Sequence, residues 1–341
     1  MARTLFNADF TAPRWLKHRQ LQTLAPYWLV KGTPRHETEL LDLPDGDFVE
    51  LAWSLSGREN PNAPLLVIFT EEEACLRRSP NTRALMALAS KQGYRAVVMH
   101  YRGCGKVPSR YMRGYHAGDT ADAYWLMSVL ARRFPHAPKV GVGFGTGGNV
   151  LLKLVAEQGG DGLDLCGAIS VSAPLDLASR SDAMNLGHTR NRQRQLVKRL
   201  RQRVEERQAD NRFPLDITQQ QLHRLDTLWA WDNEITAPLY GFTSASDYYR
   251  RASAGPMLDR LELPTLIIHA QDDPYVPADI FMRLPLPSAN VRIEMARHGG
   301  HLGFIEQHRG FPRSWLIQRL SQQIEKWVRV PTFKDARATQ Y

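Results

Sequence analysis

Residues 139–150, KVGVGFGTGGNV, run from an apolar stretch into a glycine-rich turn, and the turn opens NVLLKLVAEQ, which has the pattern of a helix. Strand, glycine turn and helix in that order is where α/β proteins place chemistry, and two chemistries use it. One is the dinucleotide fingerprint G-x-G-x-x-G, in which backbone N–H groups at a helix N-terminus hold a pyrophosphate. Gly143, Gly145 and Gly148 have its spacing, and Asp176, after the next apolar run, stands where a ribose-binding acid is expected. The other is the nucleophile elbow G-x-S-x-G, which projects a serine hydroxyl from a sharp turn. Gly143 and Gly147 supply its flanking small residues, but between them, where the serine belongs, is Gly145.

The rest of the chain separates the two readings. A dinucleotide fingerprint normally opens the first βαβ unit of its domain, whereas at least two buried strands precede this one. The elbow needs an acid and then a histidine, later in the chain and in that order. The apolar run TLIIHA is followed by QDDPYVP, with Asp272 and Asp273, and ARHGGHLGF then brings His298 and His301. Taken singly, an Asp-Asp-Pro is usually a turn and a histidine beside glycines a loop residue. A turn at 145, an acid at 273 and a histidine at 301 together have the order of a hydrolase triad.

These residues need elements to position them. Residues 64–69, 95–101, 139–143, 166–173 and 264–270 are near-continuous apolar runs rich in Val and Ile, the pattern of strands buried on both faces. Helical stretches alternate with them, which predicts a doubly wound, mostly parallel α/β sheet. An alternating pair of strands around Pro44–Gly46 leads into it. The alternation fails over 177–255, which is basic and helical and reads as a cap inserted over the carboxyl ends of the strands. The resulting division is an N-terminal extension and leading hairpin (1–60), a first half of the core (61–176), the cap (177–255), a second half carrying the acid and histidine (256–330), and a polar tail (331–341).

The chain has 341 residues, with 43% hydrophobic and 23% charged, and a net charge of +9. These proportions are those of a soluble globular protein. No apolar run approaches the roughly 18 residues a membrane span requires, and the first twenty residues lack the apolar region of a secretory leader. Three cysteines, Cys75, Cys104 and Cys166, lie far apart without a C-x-x-C pair, so a reducing, cytoplasmic setting and no structural zinc are expected. Residues 190–207 hold eight Arg or Lys. Leu196, Val197, Leu200 and Val204 recur there at helical spacing, so the run reads as a helix packed by one stripe and charged around the rest. No motif for nucleic-acid binding accompanies it.

The sequence resembles the YheT-like branch of the α/β-hydrolase superfamily, which are carboxylesterases. The resemblance covers roughly residues 15–330 and rests on LQTLAPYW, LDLPDGDFVELAW, VVMHYRGC, YHAGDTADA, GGNVLLK, VSAPLDL, DYYRRAS, PTLIIHAQDDP and HGGHLGF, all in order. It implies an α/β-hydrolase fold with a helical cap, no cofactor and no metal, an ester-like or lipid-like ligand, Asp273 as acid and His301 as base. In that family the turn reads G-[YF]-S-x-G-G-N, and the backbone N–H of the next residue, here Thr146, serves the oxyanion hole.

Two departures fall on the chemistry. Gly145 cannot attack a carbonyl, and the side chain of Thr146 leaves the turn in another direction. After the first buried strand, where the family has H-G-L-E-G-S, the chain has Thr70, Glu71, Glu72, Glu73, Ala74 and Cys75. Both glycines of that oxyanion loop are replaced, at Glu71 and Ala74. A milder change is RGCGKVPSR, where the family reads R-G-C-S-G-E-P-N-R. Losing the nucleophile of such a triad costs ~10⁶ in kcat, and losing one oxyanion donor costs ~10²–10³. The expectation is a hydrolase-fold protein impaired in serine catalysis that binds a ligand, or a partner, through the old pocket. The alternatives are hydrolysis by a His301-activated water, by Cys75, or by a metal held among Glu71, Glu72, Glu73, Asp273 and His301, and a non-enzymatic role of the basic cap at an anionic surface.

Overall fold

The computed structural model describes residues 5–71, 75–111, 114–159, 162–209 and 213–329. Glu72, Glu73, Ala74 and the polar tail lie outside them. The strands are β1 (Leu5–Asn7), β2 (His36–Asp42), β3 (Phe48–Ser54), β4 (Leu65–Phe69), β5 (Arg95–His100), β6 (Lys139–Phe144), β7 (Gly167–Val171), β8 (Thr265–Ala270) and β9 (Val291–Ala296). They form one sheet in the order β1-β9-β8-β7-β6-β4-β5-β3-β2. Every neighbouring pair is parallel except β2–β3 and β3–β5. The hairpin around Pro44–Gly46 thus turns the sheet's entry strands against the parallel core. A separate hairpin, β10 (Ile305–His308) and β11 (Phe311–Ser314), follows β9.

Both faces of the sheet are covered, and the pleat sorts the side chains between them. Leu65, Val67 and Phe69 of β4 join Val97 and Met99 of β5 on one face. That face is covered by α3 (Ala121–Arg133) and α4 (Thr146–Gln158), through Leu126, Leu130, Leu151 and Val155. Leu66 and Ile68 join Ala96 and Val98 on the other face. There α2 (Pro80–Lys91) brings Leu85, Met86 and Ala89, and the C-terminal helix Trp315–Arg329 brings Leu316, Leu320 and Ile324. Each such side chain contributes roughly 1.5–3 kcal/mol by leaving water.

Between β7 and β8 the chain builds the cap from helices. They are α5 (Leu177–Met184), α6 (Thr189–Ala209), α7 (Gln219–Arg224), α8 (Leu228–Trp231), a π turn over Asp232–Thr236, α9 (Ala237–Leu239) and α10 (Ala245–Ala252). It has its own small core, with Met184, Leu196, Val197, Val204, Leu222 and Trp231. The basic run is therefore α6, packed by Leu196, Val197 and Val204 with Leu200 half-buried.

The sequence reading assigns no element to residues 19–29, yet they form helix α1 (Arg19–Leu29). Its largest apolar residues are mostly not the ones that pack: Ala25 and Pro26 are buried and Leu29 half-buried, while Leu21, Leu24, Tyr27 and Trp28 are exposed. The side chain at its centre on the inner face is Gln22, fully buried, which donates to Ile305 O and accepts from Ile305 N–H, each at 2.9 Å.

The joint between β6, α4 and β4 is backbone against backbone. A Cβ on Gly143 would run into the backbone of Gly147 and Gly148, and one on Gly147 into the carbonyl oxygens of Phe69 and Thr70. Backbone cannot yield as a flexible side chain can. Gly147→Ala is expected to cost about 1–3 kcal/mol as overpacking, read as a lower urea midpoint. Gly32→Ala, with nothing within 4 Å of its Cβ, should lose only the smaller cost of its left-handed backbone.

Candidate functional site

The residues singled out by the sequence gather at the carboxyl ends of four parallel strands, where ligands bind in open α/β sheets. Glu71 follows β4, Gly145 follows β6, Asp273 follows β8 and His301 follows β9. Gly145 turns the chain between strand and helix at φ 53° and ψ −125°. Glycine adopts this conformation freely, whereas an L-residue held there stores ~1–3 kcal/mol. The turn is fixed by Gly145 N–H donating to Val171 O and Gly148 N–H donating to Gly145 O, both at 2.9 Å. Thr146 is buried as the first residue of α4.

Of the two acids and two histidines offered by the sequence, the geometry pairs Asp273 with His301. His301 Nδ1 donates to Asp273 Oδ2 at 2.9 Å, and Asp273 Oδ1 accepts the N–H groups of Tyr275 (2.9 Å) and Val276 (3.0 Å). The carboxylate is buried with three donors on it, which fixes the imidazole plane. The neighbouring acid works on the backbone: Asp272 Oδ1 accepts N–H from both Gly299 and Gly300 at 2.9 Å, tying down the loop that carries the histidine. His298 Nδ1 lies 3.5 Å from Asp272 Oδ2, on the same side of the loop. A further anchor comes from the other end of the chain, where Thr23 Oγ1 of α1 accepts His301 N–H at 2.9 Å. Sequence reasoning missed Thr23, whose only signal is its place in the LQTLAPYW block.

With Nδ1 engaged by Asp273, Nε2 of His301 faces the turn. A Cβ built on Gly145 would lie 3.8 Å from it. The same Cβ would lie 3.1 Å from Glu71 Cγ and 3.6 Å from Glu71 Cβ. The two departures are therefore in contact. The Glu71 stem crosses the space into which a side chain at 145 would project, and its Oε1 lies 3.5 Å from the hydroxyl of Ser79, which precedes α2.

Above this group is a cavity of about 60 Å³ under the cap, lined by Glu71, Gly145, Thr146, Met184, Tyr275 and His301 among others. It adjoins a larger one of about 480 Å³, which shares Glu71, Tyr275 and His301 and is walled by Leu24, Pro26 and Tyr27 of α1. Arg192 and Arg199 of α6 line both. The arginines of the basic run thus do not all ring a solvated face. No three of the described His, Cys, Asp and Glu residues cluster as metal ligands do.

A nine-stranded, mostly parallel sheet with an Asp–His pair and a glycine turn at its carboxyl edge, under a helical cap, defines a class, and comparison with known proteins agrees. The sequence pattern of the alpha/beta hydrolase fold matches residues 78–307, and the chain belongs to that family. Within it the chain falls in the YheT-like branch. It is 40% identical over 325 residues, 94% of each chain, to the provisionally named esterase YheT of Escherichia coli K12. The monoacylglycerol lipase of Saccharomyces cerevisiae is 26% identical over 269 residues, 75% of this chain and 58% of the lipase. The solved structure of an esterase from Pyrococcus furiosus superposes with a TM-score of 0.55 at 12% identity, covering 94% of this chain and all of that one. That last likeness speaks for the fold.

The acid loop has a supporting residue with a pH signature. His269, the penultimate residue of β8, is fully buried, and its Nε2 donates to Val276 O at 3.1 Å, bracing the turn that holds Asp273. Burial pushes its pKa below the usual histidine value. Below about pH 6.5 the unfolded chain takes up a proton that the folded chain refuses, so stability is complete above that pH and falls as pH is lowered. The urea midpoint is expected to drop between pH 7 and pH 5, and His269→Gln should flatten that slope whatever it does to the midpoint at pH 7.

Proposed function

We propose that this chain is an α/β-hydrolase-fold protein whose nucleophile elbow has lost its nucleophile, and that it binds an ester-like or lipid-like ligand in the former active site without forming an acyl-enzyme. The observation that carries this reading is the contact between the two changed positions. Gly145 offers no attacking atom, and a side chain added there would start in tight contact with the Glu71 stem, 3.1 Å from its Cγ. A carboxylate on the oxyanion side also opposes the negative charge that an ester carbonyl develops on attack. The fold, the cap and the Asp273–His301 pair supply a shaped, partly apolar pocket. The activities for which the relatives are named, esterase and monoacylglycerol lipase, support an acyl-bearing ligand. The three free cysteines support a reducing, cytoplasmic setting.

In a serine hydrolase of this fold the histidine takes the serine proton and returns it to the leaving group. Here the geometry leaves the base without that partner: Nδ1 is held by Asp273, and Nε2 faces the cavity. That orientation favours a second reading, in which His301 removes a proton from a water that attacks the ester directly. Without covalent catalysis and with the oxyanion side altered, this route is expected to run several orders of magnitude below a working serine esterase.

The test is labelling with a fluorophosphonate together with turnover of short and medium acyl esters. The protein is expected to stay unlabelled and to turn over esters at least ~10⁵-fold more slowly than a working serine esterase. Labelling at the turn, or ordinary rates, would refute the proposal. Gly145→Ser alone is expected to recover little, because its Cβ meets Glu71. Gly145→Ser with Glu71→Gly should recover labelling and turnover together. His301→Gln abolishing any residual turnover would support the water route, and unchanged turnover would remove it.

A further inference from the structure

Helix α1 turns most of its large apolar side chains outward. Its buried face is centred on Gln22, held by the backbone of Ile305, while Leu21, Leu24, Tyr27 and Trp28 are 38%, 48%, 45% and 51% exposed, and Trp15 just before it is 56% exposed. Leu21, Leu24 and Trp28 recur at i, i+3 and i+7, so they form one outward stripe. Scattered exposed apolar residues are ordinary, but a contiguous aromatic and leucine patch marks a contact surface. Within the segment that carries it the charge is of one sign, although Glu71 lies on the cavity that α1 walls. Residues 10–36 contain Arg14, Lys17, Arg19, Lys31 and Arg35 and no Asp or Glu, and all five cations are exposed. Arg77 and Arg78, also exposed, stand on the rim of the cavity that α1 walls.

We propose that α1 and the segments flanking it form a docking surface for an anionic lipid bilayer. The leucines, Tyr27 and the tryptophans enter the headgroup region, and the surrounding Arg and Lys meet the lipid phosphates. Aromatic and leucine side chains backed by cations are what interfacial helices use, and the attraction of the cations is to a negatively charged leaflet. A protein partner would need its own acidic rim around an apolar centre, whereas an anionic bilayer presents both everywhere. The patch is continuous with the site: Leu24, Pro26 and Tyr27 wall the cavity that reaches His301, and Thr23 holds the His301 backbone. Docking would set that cavity against the bilayer. The proposal stands whether or not the turn at Gly145 supports hydrolysis.

Co-sedimentation of the full chain with vesicles of phosphatidylcholine alone, and with one quarter phosphatidylglycerol, tests it. Binding to the anionic vesicles is expected to be at least tenfold tighter than to the neutral ones, and to weaken steeply between 50 and 300 mM salt. Leu24→Asp with Trp28→Asp should reduce anionic binding at least tenfold while the circular dichroism spectrum is unchanged, as both side chains are exposed. Lys17→Glu with Arg19→Glu should weaken anionic binding and leave neutral binding alone. The cap pair Arg190→Glu with Arg194→Glu should leave both unchanged. Absence of binding, binding untouched by the α1 variants, or loss through the cap pair would overturn the proposal. So would a dimer in sedimentation velocity that the Leu24→Asp, Trp28→Asp variant abolishes, since the patch would then be a self-interface.

Discussion

The structure depends on how closely α4 approaches the end of β4. Gly147 lies against the carbonyl oxygens of Phe69 and Thr70, and Gly143 against the backbone of Gly147 and Gly148. No side chain fits at this joint, and the chain must reverse sharply at Gly145 to make it. The approach brings the loop after β4 over the turn after β6, so that Glu71 and Gly145 share one small space. The joint is a packing constraint before it is a catalytic device. It persists here with no side chain at 145, because glycine meets the backbone demand of the turn without strain.

The Asp273–His301 pair is maintained by a different set of interactions. Two adjacent aspartates divide the work: Asp273 fixes the imidazole, and Asp272 fixes the loop backbone beneath it. A buried carboxylate without donors is costly; buried Asp273 finds three locally, and half-buried Asp272 finds two on one oxygen. Deeper in the core, Arg102 is buried between Asp122, which takes it in two bonds of 2.6 Å, and Asp45 at 2.6 Å. That cluster ties the loop after β5 to α3 and to the turn of the entry hairpin. Such a buried group adds little net stability but is costly to break singly, so it specifies how the loop sits.

Much of this was legible in the sequence for reasons that can be named. The central strands announce themselves because burial on both faces demands unbroken apolar runs, and the order of turn, acid and histidine narrows the chemistry. The glycine spacing also produced a false match to a dinucleotide fingerprint, since close backbone packing and pyrophosphate approach both select glycine. Helix α1 was illegible because its inner face centres on a polar residue, with only Ala25 and Pro26 buried beside it, and Gln22 finds its partner 283 positions away at Ile305. The orientation of Arg192 and Arg199 toward the pocket was illegible too. Helical spacing gives the buried stripe of α6, but which flank overlooks the site follows from how the cap is seated. The contact between Glu71 and Gly145 joins two loops that no periodicity relates.

The bond from His301 N–H to Thr23 joins residues 278 positions apart, and β1 pairs with β9 at the edge of the sheet. The histidine loop therefore closes on residues that leave the ribosome long before it does. Contacts of such sequence separation form late, because the entropy of closing the intervening chain is lost before they reward it. Until they do, α1 lacks the backbone groups of Ile305 that Gln22 requires, and its apolar side chains have no fixed orientation. The pocket and the exposed stripe thus depend on the same long-range contacts, and neither is complete without them.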